Sequence, residues 1–165
     1  MEKIKIKFPD GSIRQFNKGI SGKDIADKIG ERLGKAALAM KVNNQLKDLN
    51  TKIMKDSDIK IITFNDKEGK EVFWHSASHL MTQAVCRVFK DKNIGLGVGM
   101  PVEEGFYQDY GMDPIHPEDL LKIEAEMKNI VKEKLEISQR DISKKEALEF
   151  YKKDPYKTEL VKDVP

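Results

Sequence analysis

Residues 2–8 read E-K-I-K-I-K-F, a strict alternation of charged and apolar side chains. Every second side chain of a β-strand lies on the same face, so Ile4, Ile6 and Phe8 are expected to enter a core while the residues between them face solvent. The segment P-D-G-S at 9–12 has turn chemistry, since proline fixes φ and glycine tolerates a positive φ. An apolar pattern resumes after it, so the amino terminus is predicted to be a β-hairpin.

A helix and two further strands are predicted in the rest of the first 64 residues. Ser21 is a preferred helix cap, Asp24 suits the positive first turn, and Gly34 marks the end of the helix. One apolar stripe runs along this helix, formed by Ile25, Ile29 and Leu33. With strands predicted at 38–42 and 59–64, the order is β-β-α-β-β. So short a unit buries enough surface by closing a mixed sheet over one helix, the β-grasp (ubiquitin-like) fold; an unrelated small α+β fold is the alternative.

A polar run, N-D-K-E-G-K at 65–70, has no periodicity and is interpreted as a linker. It divides the chain into a first domain, 1–64, and a second domain, 71–165.

The second domain is also predicted to mix helices and strands. Apolar residues recur with helical spacing over 74–89, and four glycines among apolar residues at 94–110 predict a bent β-hairpin. Pro117 suits the first position of a helix of roughly four turns. The segment 135–142 alternates like a strand, and Ser143 begins a capping box for another helix.

Composition narrows the classes of function. The net charge is only +2, so a general attraction to polyanions is weak. Binding of a polyanion would therefore depend on local patches of basic residues. No stretch approaches the roughly 20 apolar residues of a membrane-spanning helix, and the start lacks the apolar centre of a signal peptide, so a cytoplasmic protein without membrane contact is expected. Cys86 is the only cysteine, which excludes an internal disulfide framework and a zinc ribbon.

His75 and His79 have the clearest chemical potential, because they stand four positions apart in a predicted helix. At this spacing both imidazoles lie on one face. They could share a metal ion, a phosphate or a ribose, or one could act as a general base while the other orients a water or hydroxyl. The structural alternative is that the two rings only flank a helix terminus.

A metal site would need more ligands than this pair. A zincin peptidase needs glutamate directly after the first histidine, where the chain has Ser76. Cys86 lies roughly 10 Å beyond His79 along a helix, too far to share one ion, and His116 precedes a proline-initiated helix, where a cap or a surface role is expected. His75 and His79 would therefore bind metal only if further ligands are supplied.

The glycine run G-L-G-V-G-M-P at 95–101 is not a phosphate-binding loop, because the lysine of such loops is missing. It is interpreted as a glycine-bent strand whose exposed backbone lines a cleft and could touch a substrate.

Two segments about 20 residues apart carry a family resemblance. F-W-H-S-A-S-H-L at 73–80 and P-V-E-E-G-F-Y-Q-D-Y at 101–110 resemble two signatures of the editing domain that threonyl- and alanyl-tRNA synthetases share. The first domain resembles a TGS domain, a family found in threonyl-tRNA synthetases, some GTPases and stringent-response enzymes. The closing segment D-P-Y-K-T-E-L-V-K-D is also similar to threonyl-tRNA synthetases, so the resemblance covers nearly the whole chain and narrows to that family.

The resemblance implies an α+β chain, a β-grasp TGS domain followed by part of an editing domain. The intact synthetases attach threonine to tRNA with ATP, and their editing domain is associated with removing serine from mischarged tRNA. This region is therefore expected to bind the tRNA acceptor end and to serve editing together with the remainder of the synthetase. His75 and His79 match the family's editing histidines. Substrate contacts are expected from the glycine-bent hairpin, at Gly97, Gly99, Glu103, Phe106 and Tyr107.

The chain also departs from the family pattern. It lacks the downstream C-R-G-P-H type segment that supplies the other half of the editing pocket, the class II synthetase motifs, the zinc ligands of the aminoacylation centre and the anticodon-binding domain. We expect an excised or truncated piece that does not aminoacylate and needs no cofactor of its own, since ATP, Mg²⁺ and catalytic Zn²⁺ are expected only for the intact enzyme. Gln108 stands where an aromatic residue is usual, and V-G-M at 98–100 replaces the usual I-G-P.

Two other functions fit parts of the sequence. A free-standing TGS-type module would bind RNA or a nucleotide without catalysis, and its affinity for tRNA would survive replacement of His75 and His79. A small metal-dependent hydrolase would use the same two histidines and would contain bound zinc.

Overall fold

A computed structural model describes residues 2–90, 93–135, 137 and 140–164. These residues form two compact units, Met1–Phe73 and Trp74–Pro165. In chain order the elements are β1 (Lys3–Lys7), β2 (Ile13–Asn17), β3 (Ile20–Ser21), α1 (Gly22–Ile29), α2 (Glu31–Ala36), β4 (Ala37–Val42), β5 (Gln45–Lys47), β6 (Lys52–Ile53), β7 (Ser57–Thr63), α3 (Lys67–Val88), β8 (Gly95–Val102), β9 (Gly105–Gly111), α4 (Pro117–Glu133), α5 (Lys144–Phe150) and α6 (Pro155–Asp163).

The first unit is built on a five-stranded sheet in the order β2-β1-β7-β4-β5. Strands β1 and β7 run parallel, with Ile6 opposite Ser57, and the other neighbours in this sheet are antiparallel. Strands β3 and β6 form a separate short pair. A parallel pair of first and last strands with a helix packed on one face is the β-grasp arrangement, which confirms the predicted fold. The core contains Ile4, Ile6, Phe8, Ile20, Ile25, Met40, Ile53 and Ile59.

Ser21 caps α1 as the sequence predicts. Its Oγ accepts a hydrogen bond from the backbone N–H of Asp24 at 3.1 Å, and the Asp24 carboxylate accepts one from the backbone N–H of Ser21 at 3.2 Å. The predicted end at Gly34 is wrong, because α1 ends at Ile29 and the shorter α2 continues past Gly34. Gly34 is buried inside α2 against Asp27, where a Cβ would collide with the carboxylate.

The polar run predicted as a linker has a different structure. Residues 67–70 form the first turn of α3, and the two units divide within this helix, after Phe73. Glycine at position 69 allows this turn to pack closely against the end of β7, because a Cβ there would collide with the backbone oxygen of Thr63. The charged residues of the run hold this turn against the sheet through the ion pair between Lys41 and Glu68, at 2.5 Å.

In the second unit α3 and α4 enclose an apolar core centred on Ala84, Val85, Ile123 and Ile130. Strands β8 and β9 form the predicted antiparallel hairpin. The strand predicted at 135–142 is not found: residues 136, 138 and 139 lie outside the described part, and the residues described there are not in a strand. A strand needs a neighbour for its hydrogen bonds, and within the described residues β8 and β9 pair only with each other.

Ser143 caps α5 as predicted, because its Oγ accepts a hydrogen bond from the backbone N–H of Glu146 at 3.2 Å. Among the described residues no helix is both long enough and apolar enough to cross a membrane.

Candidate functional site

Helix α3 and strand β9 run side by side in the same direction. The rings of Trp74 and Phe106 lie 6.2 Å apart, and the hydroxyls of Thr82 and Tyr110 lie 3.2 Å apart. Eight helical residues advance about 12 Å and four strand residues about 13 Å, so both contacts are made without distortion. The helical turn at 75–79 therefore lies beside the hairpin.

His75 and His79 are in direct contact. Their Nε2 atoms lie 2.8 Å apart and their ring centroids 4.7 Å apart. Such a distance is a hydrogen bond in which one imidazole donates and the other accepts, so at least one ring in the contact is neutral. Both residues remain exposed, so a ligand from solvent can reach them. The structure brings together the two residues that the sequence singles out.

The pKa of His79 lies below its ordinary value. Partial burial is the main cause, followed by the nearby His75 and then by the positive charge of Lys157. All three effects disfavour the charged imidazolium. The lowered pKa therefore favours the neutral form of the His79 ring.

Lys157 is a site residue that sequence reasoning missed. Its Nζ donates a hydrogen bond to the backbone oxygen of Gly97 at 3.2 Å, and its charge acts on His79. The sequence signal was local only: Asp154 followed by Pro155 is a strong helix start. Nothing in that signal connects α6 with histidines some 80 residues earlier in the chain.

Asp154 fixes the position of α6 on the hairpin. Its Oδ1 accepts the backbone N–H of Lys157 at 3.1 Å and caps the helix, and its Oδ2 accepts the backbone N–H of Leu96 at 3.1 Å. Beside this contact the ring of Tyr156 covers Gly95 and Gly111, where a Cβ would collide with it. The two glycines are needed for this close approach.

Gly97 lies at an irregularity of the β8–β9 ladder, between Leu96 and Gly99. Besides Lys157, the Nε2 of Gln108 donates to the Gly97 oxygen, at 3.4 Å. A Cβ at Gly97 would lie 2.9 Å from the Cβ of Asp109. The predicted glycine-bent strand is thus a bulge whose backbone oxygen is used by side chains.

The remaining predicted substrate contacts lie further along the hairpin. Phe106 packs near Trp74, and Tyr107 is exposed opposite Met100. Glu103 is in the exposed turn between the strands, about 20 Å of extended chain beyond Gly97. The structure thus groups Gly97 with the histidines and Lys157, while Glu103 is at the hairpin tip.

Other candidate metal ligands stand apart from the pair. Cys86 is half-buried, and burial raises the pKa of its thiol. His116 is the N-cap residue of α4, and its backbone N–H donates to an oxygen of Asp119 at 3.4 Å. Within the described part of the chain no group of three or more His, Cys, Asp or Glu side chains is placed to hold a metal ion.

Comparison with known proteins extends these observations. Residues 4–63 match the model of the TGS domain. The chain is 47% identical to a threonine–tRNA ligase of Anoxybacillus flavithermus over 98% of its own length and 25% of that protein. For the ligases of Halalkalibacterium halodurans and Caldanaerobacter subterraneus the identities are 48% and 41%, over 98% and 97% of the chain and 26% and 25% of the relatives. The chain is homologous to the amino-terminal region of threonine–tRNA ligases.

The chain spans about a quarter of the length of the threonine–tRNA ligases it matches. The similarity to these ligases includes both compact units, the TGS domain and the unit with the histidine pair.

Proposed function

We propose that the second unit is the histidine-bearing part of an editing site of a threonine–tRNA ligase, which hydrolyses serine from mischarged tRNA. The observation that carries the proposal is the direct contact of His75 with His79 beside the cationic Lys157. A water, a ribose hydroxyl and a phosphate are the groups that such a set can hold.

The need for such a site follows from the substrates. Serine differs from threonine by one methyl group and keeps the same hydroxyl, and a pocket discriminates one methyl group by only about 1–3 kcal/mol. A separate hydrolytic site supplies the remaining accuracy.

The reaction is the hydrolysis of an ester between the serine carbonyl and a ribose oxygen. The oxygen of water bonds to the carbonyl carbon, the bond from that carbon to the ribose oxygen breaks, and the proton of water is transferred to the ribose oxygen. A neutral imidazole can carry this proton, and the lowered pKa of His79 favours the neutral form of that ring. Lys157 is placed to attract the negative charge of an oxyanion or a phosphate.

The rest of the ligase chemistry is assigned to other parts of such an enzyme. We propose that this chain binds the acceptor end of tRNA together with the remainder of a synthetase and does not itself join threonine to tRNA. ATP, Mg²⁺ and catalytic Zn²⁺ would then belong to the aminoacylation centre. Purified protein incubated with threonine, ATP and tRNA should form no threonyl-tRNA; charging at a measurable rate would contradict this assignment.

Binding of a substrate analogue tests the editing site without requiring turnover. The probe is adenosine with serine joined to the 3′ position by an amide, which keeps the shape of the ester but resists hydrolysis. We expect the imidazole NMR signals of His75 and His79 to shift and saturate, while those of His116, the third histidine of the chain, stay unchanged. Equal shifts of all three histidines, or none, would remove the basis of the proposal.

The binding-module alternative predicts a different result. If the chain only binds RNA, replacing His75 and His79 by alanine should leave its tRNA affinity unchanged.

A further inference from the structure

The β8–β9 ladder contains one extra residue on β8, so that Gly97 and Val98 together stand opposite one residue of β9. Such a bulge disrupts the ladder at that point. At this bulge the Gly97 oxygen accepts hydrogen bonds from two side chains, the Nζ of Lys157 at 3.2 Å and the Nε2 of Gln108 at 3.4 Å. One backbone oxygen therefore connects a side chain of β9 with a side chain of α6.

Gln108 lies on the face of β9 that contacts helix α3. Because the extra residue belongs to β8, the side chains of β9 alternate regularly, and Gln108 shares a face with Phe106 and Tyr110. Phe106 packs near Trp74, and Tyr110 contacts Thr82. Gln108 lies between these two contacts on β9, and the histidine pair lies between them on α3. The Gln108 side chain therefore belongs to the same part of the second unit as the pair.

The carboxamide of Gln108 is held in one orientation. Its Nε2 also donates to the backbone oxygen of Asp109, at 3.1 Å, so the two protons on this nitrogen have a carbonyl oxygen each. Its Oε1 lies over Gly99, where a Cβ would collide with it. The amide thus has a fixed nitrogen end toward Gly97 and a fixed oxygen end toward Gly99.

The Lys157 ammonium depends on the Gly97 carbonyl for its position. Lysine carries its charge on a flexible four-carbon stem, and within the described parts of the chain the Gly97 oxygen is the one recorded hydrogen-bond partner of this Nζ. The ammonium and the Gln108 nitrogen lie within about 7 Å of each other, since both bond to the same oxygen. The charge held there is close enough to His79 to lower the pKa of its imidazole.

We propose that Gln108 is a positioning residue for Lys157: its amide fixes the direction of the Gly97 carbonyl, and that carbonyl holds the ammonium beside the histidine pair. The value of this charge for a negatively charged reaction intermediate rests on the proposed function, whereas the contacts among the three residues do not. In this role Gln108 does not touch the substrate. Its replacement should change only what depends on the Lys157 charge.

A first experiment needs no ligand and follows the pKa of His79 in the full 165-residue chain by NMR titration. Gln108→Met keeps the length of the side chain and removes its N–H donors. Because a released Lys157 spends less time near the pair, the pKa of His79 should rise by about half as much as Lys157→Gln raises it. In the Lys157→Gln background, Gln108→Met should cause no further rise. The matched control is Gln45→Met in the exposed strand β5, which should leave this pKa unchanged.

A second experiment separates the charge of Lys157 from direct contact by comparing two ligands. The first is the seryl-adenosine amide, which is uncharged at the bond that replaces the ester. The second has a phosphonate group at that position and so carries the negative charge of the tetrahedral intermediate. Gln108→Met should weaken binding of the phosphonate about threefold to fivefold and of the amide less than twofold, measured by calorimetry. In the Lys157→Gln background neither ligand should lose further affinity.

Three results would overturn the inference: a pKa of His79 that Lys157→Gln does not change, effects of Gln108→Met that persist in the Lys157→Gln background, or equal losses for the two ligands. Equal losses would make Gln108 a substrate contact or a purely structural residue. Circular dichroism melting verifies the fold, and Gln108→Leu takes the place of the methionine variant if that variant does not fold.

The outcome is separate from that of the editing site. If neither ligand shifts the signals of the histidine pair, the proposed function fails, while the comparison of pKa values without ligand still decides whether Gln108 positions Lys157. If both ligands shift those signals but Gln108→Met changes nothing, the proposed function stands and the positioning role of Gln108 fails.

Discussion

Asp154 accepts the backbone N–H of Leu96 at 3.1 Å across 58 residues of sequence, while its other oxygen caps the helix that carries Lys157. One carboxylate therefore both starts α6 and attaches it to β8. This double contact positions the start of α6, the helix that carries Lys157, on the hairpin.

Separating the two contacts of Asp154 is the first prediction. Asp154→Ala removes both, and we expect a loss of about 2 kcal/mol in the free energy of unfolding, one part from the cap and one from the unpaired N–H of Leu96. Asp154→Ser keeps a capping oxygen but has no second oxygen for Leu96, so its loss should be about half. Urea denaturation measures both values.

Asp163→Ala is the control, because Asp163 is at the last position of the same helix, where a carboxylate is unfavourable. It should leave stability unchanged or slightly raised. If the serine variant of Asp154 were as stable as the unaltered chain, the contact with Leu96 would contribute nothing; if it were no more stable than the alanine variant, the cap would contribute nothing.

The second prediction concerns the close packing of Tyr156 on the hairpin. A Cβ at Gly111 would lie 2.8 Å from the Tyr156 hydroxyl oxygen, so Gly111→Ala should displace the ring and destabilise the second unit by about 1–3 kcal/mol. Gly105→Ala on the same strand is the control, since a Cβ there meets no atom within 4 Å. Thermal melting with circular dichroism gives the comparison.

Removing the ring tests the cause of that loss. In the double variant Gly111→Ala with Tyr156→Ala, the added methyl group has no ring to meet, and its cost should be smaller than in the presence of Tyr156. A cost that is the same in both backgrounds would mean that the glycine is needed for its backbone alone.

The third prediction is that the contact of Arg87 in α3 with Glu133 in α4 stabilises the second unit through its two-pronged hydrogen bonding as well as through its charge. Its two terminal nitrogens contact both carboxylate oxygens of Glu133, at 2.5 and 2.9 Å, and one also contacts Glu126 at 3.1 Å. Lysine cannot form this fork, so Arg87→Lys should lower the melting temperature although the charge is kept. Lys128→Arg, in the simple pair with Glu124, should have no effect.

The same contact makes the stability of the second unit depend on pH. Arg87 lowers the pKa of Glu133 below its ordinary value. Stability from this pair is therefore complete above the ordinary glutamate pKa and is lost as pH falls through the lower folded value. The difference in melting temperature between Arg87→Lys and the unaltered chain should shrink in acid; a constant difference at every pH would show that the fork does not act on Glu133.

The features that the sequence predicts correctly are those determined by neighbours in the chain. Alternation at Ile4 and Ile6 determines which face of β1 is buried, and the spacing of His75 and His79 brings the rings together once a helix forms. The position of Lys157 depends on how α6 packs on β8, and this long-range packing is absent from any local pattern. The predicted helix is also divided at Gly30, whose extended backbone separates α1 from α2, and Gly34 packs against Asp27 of the preceding helix.

The error at 65–70 has a related cause. A polar run without periodicity is typical of a linker, yet the pairs of Glu68 with Lys41 and Asp66 with Lys60 give its charges partners on the sheet. Lysines 41 and 60 belong to strands whose spatial neighbours could not be known from composition. The fold class followed from periodicity, while the point of division within α3 required the tertiary structure.

The last prediction uses the depressed pKa of His79. Burial contributes most, His75 next and Lys157 least, so His75→Gln should raise the pKa of His79 more than Lys157→Gln does.

Because the folded pKa of His79 is below the unfolded one, the unfolded chain takes up the proton first as pH falls. The free energy of unfolding should therefore be complete above about pH 6.5 and decrease below it, and His79→Gln should remove this part of the decrease. NMR titration of the imidazole signals measures each pKa, with His116 as the internal reference. If His79 titrated at or above the ordinary histidine value, the decrease in stability below about pH 6.5 could not be assigned to this ring.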